Sequence, residues 1–312
     1  MRNWRNYKVE IVVFLLGLAA VNAIFISKTF RQSTTVDAVY AGHLGAFVGG
    51  YIGSIFSLTA IILIYATLKN QRQNSQLQSF ETKYFELLKM HRDNVAEIEV
   101  QGKSGRRFFV LLLDEFRTAL SIIRAIPFQT REQLPLEYSA KVAYYCVFFG
   151  VGPNSNRMLT NSLCKIGINE ETAHAVVSAL SRAKDQARRD RVYPYLPFDG
   201  HQSRLGHYYR HLYQMVRYVD QQKLVTFDVN MKYGYVKTIR AQLSTHEQAM
   251  LLINSLTPIG RNWWAKNLIT TYRLVKNIPQ DFFDAETEID TSKLFKPGYF
   301  EWEENIHSGP ML

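Results

Sequence analysis

The densest group of residues able to do chemistry lies between Phe198 and Gln214, where histidine, arginine and tyrosine crowd together. Within it, His207 and His211 are four residues apart, so both lie on one face if the segment is helical. Two histidines at that spacing can share a metal ion, but the glutamate found between them in zinc proteases is missing and no third ligand is evident. The sequence therefore predicts no metal, no cofactor and no assigned catalytic residue.

Arginine and histidine also occur at spacings that resemble those of HEPN-type ribonucleases, in Arg204 with His211 and in Arg240 with His246. This motif is loose, and a helical chain rich in both residue types matches it easily. We expect a protein that is not an enzyme, with a membrane-tethered ribonuclease as the main alternative. Ser244 and Glu247 do not count as a catalytic pair, because Ser-x-x-Glu before the apolar run 249–256 is typical of a helix capping box.

Other charged and nucleophilic residues leave their roles open. Gly102, Lys103 and Ser104 resemble the end of a phosphate-binding P-loop, but the upstream glycine is absent and no strand is predicted before them. A basic cluster at residues 182–191 is either a solvated helix end or a contact for phosphates of lipid or nucleic acid, and the formal net charge of +10 favours an anionic partner. The two cysteines, Cys146 and Cys164, are predicted to be buried, reduced thiols of a cytosolic domain.

The element that organises the chain is the stretch 38–68, which contains no aspartate, glutamate, lysine or arginine. Even about 20 of its residues would cross a bilayer core as a helix, and we predict a transmembrane span over 42–68. Small residues recur at every fourth position, in Gly45, Gly49, Gly53 and Ser57. This pattern favours close packing against another helix in lipid, either the first apolar segment or a second copy of the chain, which predicts a homo-oligomer.

A shorter apolar run predicts a first span over 9–28, with a secretory signal peptide cleaved after Ala23 as the alternative. Positive charge precedes the first span at Arg2, Arg5 and Lys8 and follows the second at Lys69 and Arg72, whereas the loop between the spans has little. The positive-inside rule therefore places both termini in the cytoplasm of a multi-pass membrane protein.

The remainder of the chain predicts a mostly α fold: two N-terminal transmembrane helices followed by an all-helical cytoplasmic domain. We divide it into a transmembrane hairpin (1–70), a stalk helix (71–101), a helical effector domain (102–280) and an acidic tail (281–312). Within the domain, apolar periodicity and breaker residues predict helices over 106–126, 135–151, 172–184, 233–243, 249–256 and 260–277. The tail is expected either to lie over a basic surface or to stay mobile.

Between Phe80 and Pro279 the chain resembles the AbiC-like family of phage abortive-infection membrane proteins. The resemblance begins with Tyr-Phe-Glu-Leu-Leu at 84–88 and is strongest at 200–213 and 239–247, although the family often has phenylalanine at the position of Tyr209. The motif residues, whose roles the resemblance does not assign, are His201, His207, Tyr209, Arg210, His211, Tyr213, Arg240, Gln242, Ser244 and Glu247.

This resemblance implies antiphage defence by abortive infection at the bacterial inner membrane, whose lipids would be the first partner. Some similar two-span proteins are effectors of retron systems, beside a reverse transcriptase and its RNA–DNA product, and such a complex would restrain the effector until infection. We therefore expect an effector that perturbs the membrane, with the ribonuclease and a non-enzymatic sensing adaptor as alternatives.

Overall fold

A computed structural model describes residues 16–17, 19, 23, 31–32, 35–36, 38–100, 103–126, 135–190, 196–224 and 227–303. The chain divides into two compact units, Met1–Gln76 and Leu77–Leu312. Most described residues are helical, as the sequence predicts.

The first unit contains a short antiparallel pair of strands and one long apolar helix. Strands β1 (Arg31–Gln32) and β2 (Thr35–Val36) pair in the register Arg31 with Val36 and Gln32 with Thr35. Helix α1 (Ala38–Phe47) continues through a π-helical segment (Val48–Ile52) into α2 (Gly53–Glu97).

The stretch 41–97 is the one described helix long and apolar enough to cross a membrane. Its most apolar window has a mean hydropathy of 2.0 and none of that window is buried. The predicted first span over 9–28 lies mostly outside the described residues, of which residues 16, 17, 19 and 23 are helical. Within the described residues the structure therefore shows one long apolar helix, and the predicted first span remains a prediction.

The second unit opens with the end of α2 and a small departure from the all-helical prediction. Strands β3 (Glu99–Val100) and β4 (Lys103–Ser104) form a two-residue antiparallel ladder. Lys103 and Ser104 are thus part of a hairpin and not of a P-loop. The helices that follow are α3 (Arg106–Ala125), α4 (Leu136–Phe149), α5 (Asn156–Lys165), α6 (Glu170–Asp190), α7 (Gln202–Asp220), α8 (Val229–Arg240) and α9 (Thr245–Ser255).

Helix α3 lies at the centre of this unit. Apolar residues recur every three or four positions along one face and are fully buried there, among them Phe109, Leu112, Phe116 and Ile123. α3 packs against α4, α6 and α9. Because three helices contact it, a polar residue on its buried face can join distant parts of the chain.

The predicted continuous helix over 260–277 is wrong. Two short helices, α10 (Asn262–Ala265) and α11 (Leu268–Thr271), are separated by Asn267, whose backbone is left-handed with φ 52°. Arg273 also has a positive φ of 48°, and residues 272–277 form turns. Asparagine tolerates the left-handed conformation better than most residues, so the helix ends where it stands.

The acidic tail is described as far as residue 303 and includes the short helix α12 (Thr291–Leu294). Arg117 on α3 bonds Glu288 with 2.6 Å between Nε and Oε1, and donates to the Phe282 carbonyl at 2.9 Å. Arg124 donates to the Thr287 carbonyl at 2.9 Å. For this part of the tail, the first alternative is therefore right: it lies over basic residues of α3.

Of the two cysteines predicted to be buried, only Cys146 is buried. Cys146 is fully buried in α4, and burial raises the pKa of its thiol, whereas Cys164 on α5 is exposed. Both are free thiols. Cys164 falls on the solvent side of an amphipathic helix, which buries Leu159, Thr160 and Leu163 instead.

A candidate ligand cleft on helix α7

The residues that open α7 are fixed by a buried polar cluster. Glu115 of α3 is fully buried, and its Oε1 accepts a hydrogen bond from the Phe198 amide at 2.8 Å. Its Oε2 lies 3.1 Å from Nε2 of His201, which stands at the N-cap of α7. The start of α7 is thus tied to the central helix of the unit.

Two glycines, Gly150 and Gly200, allow the backbone after α4 to cross close to the backbone before α7, beside this cluster. The His201 amide donates to the Phe148 carbonyl at 2.9 Å, and the Val151 amide donates to the Phe198 carbonyl at 2.8 Å. Gly200 has φ +88°, and a Cβ there would lie 2.4 Å from the Phe149 carbonyl oxygen. Only glycine fits this position, because both its backbone conformation and its space exclude a side chain.

Lys184 bonds both segments of the crossing, so it is not part of a basic surface as the sequence predicted. It is buried, and its ammonium donates to the Val151 carbonyl at 2.7 Å and to Asp199 Oδ1 at 2.9 Å. The exposed Arg188 lies 3.8 Å from Asp185. Arg191 lies outside the described residues. The cluster therefore presents fewer free positive charges than its sequence implies.

A cleft of about 800 Å³ lies along the other side of α7. Its lining comes from α7, the end of α4, the end of α9, the loop into α10 and the start of α10. The lining residues are Phe148, Phe149, Gln202, Ser203, Gly206, His207, Tyr209, Arg210, Tyr213, Asn254, Ile259, Gly260, Asn262 and Trp263. Four of the motif residues predicted from sequence, namely His207, Tyr209, Arg210 and Tyr213, are thereby brought to one cleft.

The lining residues differ in depth. Phe148, Tyr209 and Trp263 are buried, Phe149 and Tyr213 are half-buried, and the polar residues at the rim are exposed. The rim consists of Gln202, Ser203, His207, Arg210 and Asn262. Aromatic rings thus lie below polar and basic groups, an arrangement common in sites for small organic ligands.

A smaller cleft of about 290 Å³ lies next to the first. It is lined by Asn94, Glu97, Ile98, Ser203, Arg204, His207 and Tyr208. Ser203 and His207 line both clefts. Arg204 therefore faces the end of α2 rather than the main cleft.

His211 does not join His207 as a ligand pair. Its ring stacks on that of His91 in α2, with 5.9 Å between centroids and 9° between planes. Burial lowers the pKa of His91 to about 4, helped by the positive charges of His211 and Arg106. Burial and His207 also lower the pKa of His211. Among the described residues, no group of three or more His, Cys, Asp or Glu is placed to hold a metal ion.

The capping box at α9 is confirmed and extends into the core. The Ser244 amide donates to Glu247 Oε2 at 2.7 Å, and the Glu247 amide donates to Ser244 Oγ at 3.3 Å. Glu247 is fully buried and also accepts from the Tyr208 hydroxyl at 3.0 Å. The side chain of Arg106, with Nε 3.7 Å from Oε2, is the nearby cation. Glu247 therefore joins α3, α7 and α9.

Arg240 binds backbone carbonyls, whereas Gln242 is bound at its own backbone carbonyl. The buried Arg240 guanidinium donates to the carbonyls of Tyr272 and Arg273, at 3.2 and 2.9 Å. The Gln242 carbonyl accepts from Arg106 Nη2 at 2.9 Å. His246 instead contacts the ring of Phe282, with 5.5 Å between centroids. No contact in the described part of the chain joins Arg240 to His246.

Residues 200–283 match the family model described as "Putative phage abortive infection protein". This confirms the resemblance to the abortive-infection family over these residues, and the predicted resemblance over 80–199 remains a prediction. The matched segment, here called the abortive-infection segment, runs from Gly200 through α7, α8 and α9 to Phe283. Comparison with curated proteins and with solved structures finds no match.

The abortive-infection segment supplies all but two of the residues that line the main cleft. The exceptions are Phe148 and Phe149 of α4, which the crossing at Gly200 brings beside α7. Sequence analysis missed Trp263 and Asn262 because it placed them in a continuous helix. It missed Glu115 because a single carboxylate in an amphipathic helix gives no sign of its distant partners.

Proposed function

We propose that this protein is a membrane-acting effector of abortive infection in antiphage defence. The match of the abortive-infection segment supports the defence role. The observation that favours action at a membrane is the exposed apolar surface of α2.

Five consecutive residues of α2, Ile61 to Tyr65, are large, apolar and between 47% and 69% exposed. Successive helical residues are about 100° apart, so five of them cover every side of the helix. A helix that is apolar all round needs an apolar environment, and residues 42–68 are more than long enough to cross a bilayer core. The charge distribution around this segment supports a position in the inner membrane with the second unit in the cytoplasm.

The small-residue positions on this helix support assembly of copies. Among the described residues, nothing lies within 4 Å of a Cβ placed on Gly45 or on Gly49, and at Gly53 only the Val48 carbonyl is near, at 3.7 Å. The face they form is thus open to a partner helix. In lipid, close backbone approach at such a face is a main source of helix association.

The mechanism that follows has a restrained and a released state. A partner, such as a retron reverse transcriptase with its RNA–DNA product, holds the cytoplasmic unit until infection disturbs that complex. The released chains associate, their apolar helices assemble in the inner membrane, and ions leak. The cell then stops growing before the phage matures.

The test is single-cell imaging after induced expression, with propidium iodide, a potential-sensitive dye and parallel measurement of total RNA integrity. Depolarisation while RNA is intact is the expected result. RNA cleavage before any loss of potential would overturn the proposal in favour of a ribonuclease. Normal growth at high expression, without any partner present, would overturn it in favour of an adaptor.

A further inference from the structure

The main cleft on α7 has the charge of a site for an anion. Its lining includes one arginine, Arg210, and one histidine, His207, and no aspartate or glutamate among the residues that the structure describes. Both basic side chains are exposed at the rim. They are three residues apart on α7, so they lie on one face of the helix and can contact the same anionic group.

The deeper part of the cleft suits a flat, aromatic group. Half-buried Phe149 contacts Phe148 edge to face at 5.0 Å, and half-buried Tyr213 contacts Trp263 in the same way at 5.1 Å. These contacts hold the rings of Phe149 and Tyr213 in place along the cleft. Stacking on aromatic rings is the usual way in which proteins hold a nucleobase without regard to its sequence context.

Three further features of the cleft leave space for a ligand and offer it hydrogen-bonding groups. Gly206 lines the cleft at the middle of the α7 wall, and nothing lies within 4 Å of a Cβ placed on it. Gln202 and Asn262 place exposed amides at the rim, and each amide can both donate and accept hydrogen bonds, as the edge of a base requires. The hydroxyl of Tyr209, a residue only 6% exposed, has no hydrogen-bond partner among the described atoms.

We propose that this cleft binds a nucleotide, with the base against Phe149 and Tyr213 and a phosphate beside His207 and Arg210. The volume of about 800 Å³ is within the range of small-molecule sites. The ligand is either a free nucleotide or one nucleotide of a single strand, which share this chemistry. The proposal does not depend on the membrane activity proposed above.

Calorimetric titration of the full-length protein in detergent tests it. The ligands are AMP, GMP, CMP and UMP in turn, adenosine and inorganic phosphate as fragments, and a mixed-sequence DNA hexanucleotide. At least one nucleotide, free or in the strand, should bind saturably and at least tenfold more tightly than either fragment. Binding of the monophosphate identifies a free ligand, and binding of the hexanucleotide alone identifies a strand.

Variants locate the site. Gly206→Leu should weaken binding at least tenfold, because a Cβ at this lining position meets nothing within 4 Å and the longer side chain would occupy the cleft. Gly234→Leu is the matched control, since Gly234 is also helical, also has open space for 4 Å around a Cβ placed on it, and does not line the cleft. Arg210→Gln should weaken nucleotide binding at least tenfold and leave adenosine binding unchanged.

The proposal is overturned if no monophosphate and no hexanucleotide binds saturably, or if phosphate binds as tightly as the nucleotides. It is also overturned if Gly206→Leu, with unchanged helix content by circular dichroism, binds as the original chain does.

Discussion

Glu115 and His201 are separated by 86 residues in the chain, yet their side chains meet with 3.1 Å between Oε2 and Nε2. Both are buried, the carboxylate completely. The same carboxylate accepts the Phe198 amide, so one residue of the central helix α3 sets the position at which α7 begins. Since α7 forms one wall of the cleft, the cleft depends on this contact.

We expect Glu115→Ala to lower the free energy of unfolding by about 3 kcal/mol, because the Phe198 amide and the His201 ring would lose a buried acceptor. Glu137→Ala is the matched control. Glu137 is exposed and pairs with Lys141 one helical turn away, a contact worth roughly 0–1 kcal/mol. Thermal unfolding of the detergent-solubilised chain, followed by circular dichroism, would measure both. Equal stability of the two variants would contradict the central role of Glu115.

The backbone crossing predicts a second, purely steric effect. Gly200→Ala should destabilise the protein by several kcal/mol, because its φ of +88° disfavours alanine and the new Cβ would meet the Phe149 carbonyl oxygen. Gly234→Ala, inside α8 with open space around it, should instead stabilise it by about 0.5–1 kcal/mol. Thermal unfolding measures both variants. If Gly200→Ala left the stability unchanged, the backbone at the crossing would have to adjust to the new side chain.

The stacked pair His91 and His211 predicts a loss of stability in mild acid. The pKa of His91 is about 4 in the folded protein and about 6.5 in an unfolded chain, so the unfolded state binds more protons between these values. Stability should therefore fall as the pH drops below about 6.5 and level off near 4, by up to roughly 3 kcal/mol for His91. His211, whose pKa is also lowered, acts in the same direction.

His91→Phe should remove the His91 part of this pH dependence, because phenylalanine keeps a ring in the stack but binds no proton. His174→Phe, at an exposed site on α6, serves as the control. Unfolding midpoints between pH 4 and 7.5 would measure the difference. A pH profile that His91→Phe leaves unchanged would rule out the pair as its source.

Apolar periodicity predicted most of the helices. For Lys184 it was also a better guide to burial than the basic composition of the surrounding segment. The buried positions of α6 are Ala173, Val176, Val177, Leu180 and Lys184. They follow the spacing of a helical face, so Lys184 could have been assigned to the core rather than to a basic surface cluster. Its partners, the carbonyls near Gly150 and Gly200, could not have been named, because they meet only in the folded chain.

The cleft was predictable in part for the same reason. Five of the seven α7 residues that line it follow helical spacing, at 203, 206, 207, 210 and 213, and the sequence marks that segment as unusual. The opposite wall includes short helix α10 and the turn at Gly260, whose Cβ would meet the carbonyl of Asn254. Such tertiary contacts leave no periodic pattern.

The phenol of Tyr209 gives a prediction about stability. A buried hydroxyl without a partner costs about 1–3 kcal/mol, so Tyr209→Phe should be as stable as the original chain or more stable by about 1 kcal/mol. Burial raises the pKa of this phenol, so it is neutral and no charge is lost. Thermal unfolding would show the gain, and a clear loss of stability would reveal a partner for the hydroxyl.

The glycine face of the apolar helix gives the prediction closest to the proposed function. Gly49→Leu should abolish toxicity on induction, because a large side chain prevents the close approach of a second helix in lipid. Gly50→Leu is the matched control: it is the neighbouring residue, at the same depth and equally open, but about a quarter turn away from the face of Gly45 and Gly49. Growth after induction, with membrane fractions blotted to confirm equal insertion, measures the effect. If both variants kill as well as the original chain, this glycine face does not assemble. If both are harmless, toxicity does not depend on which side of the helix carries the large residue.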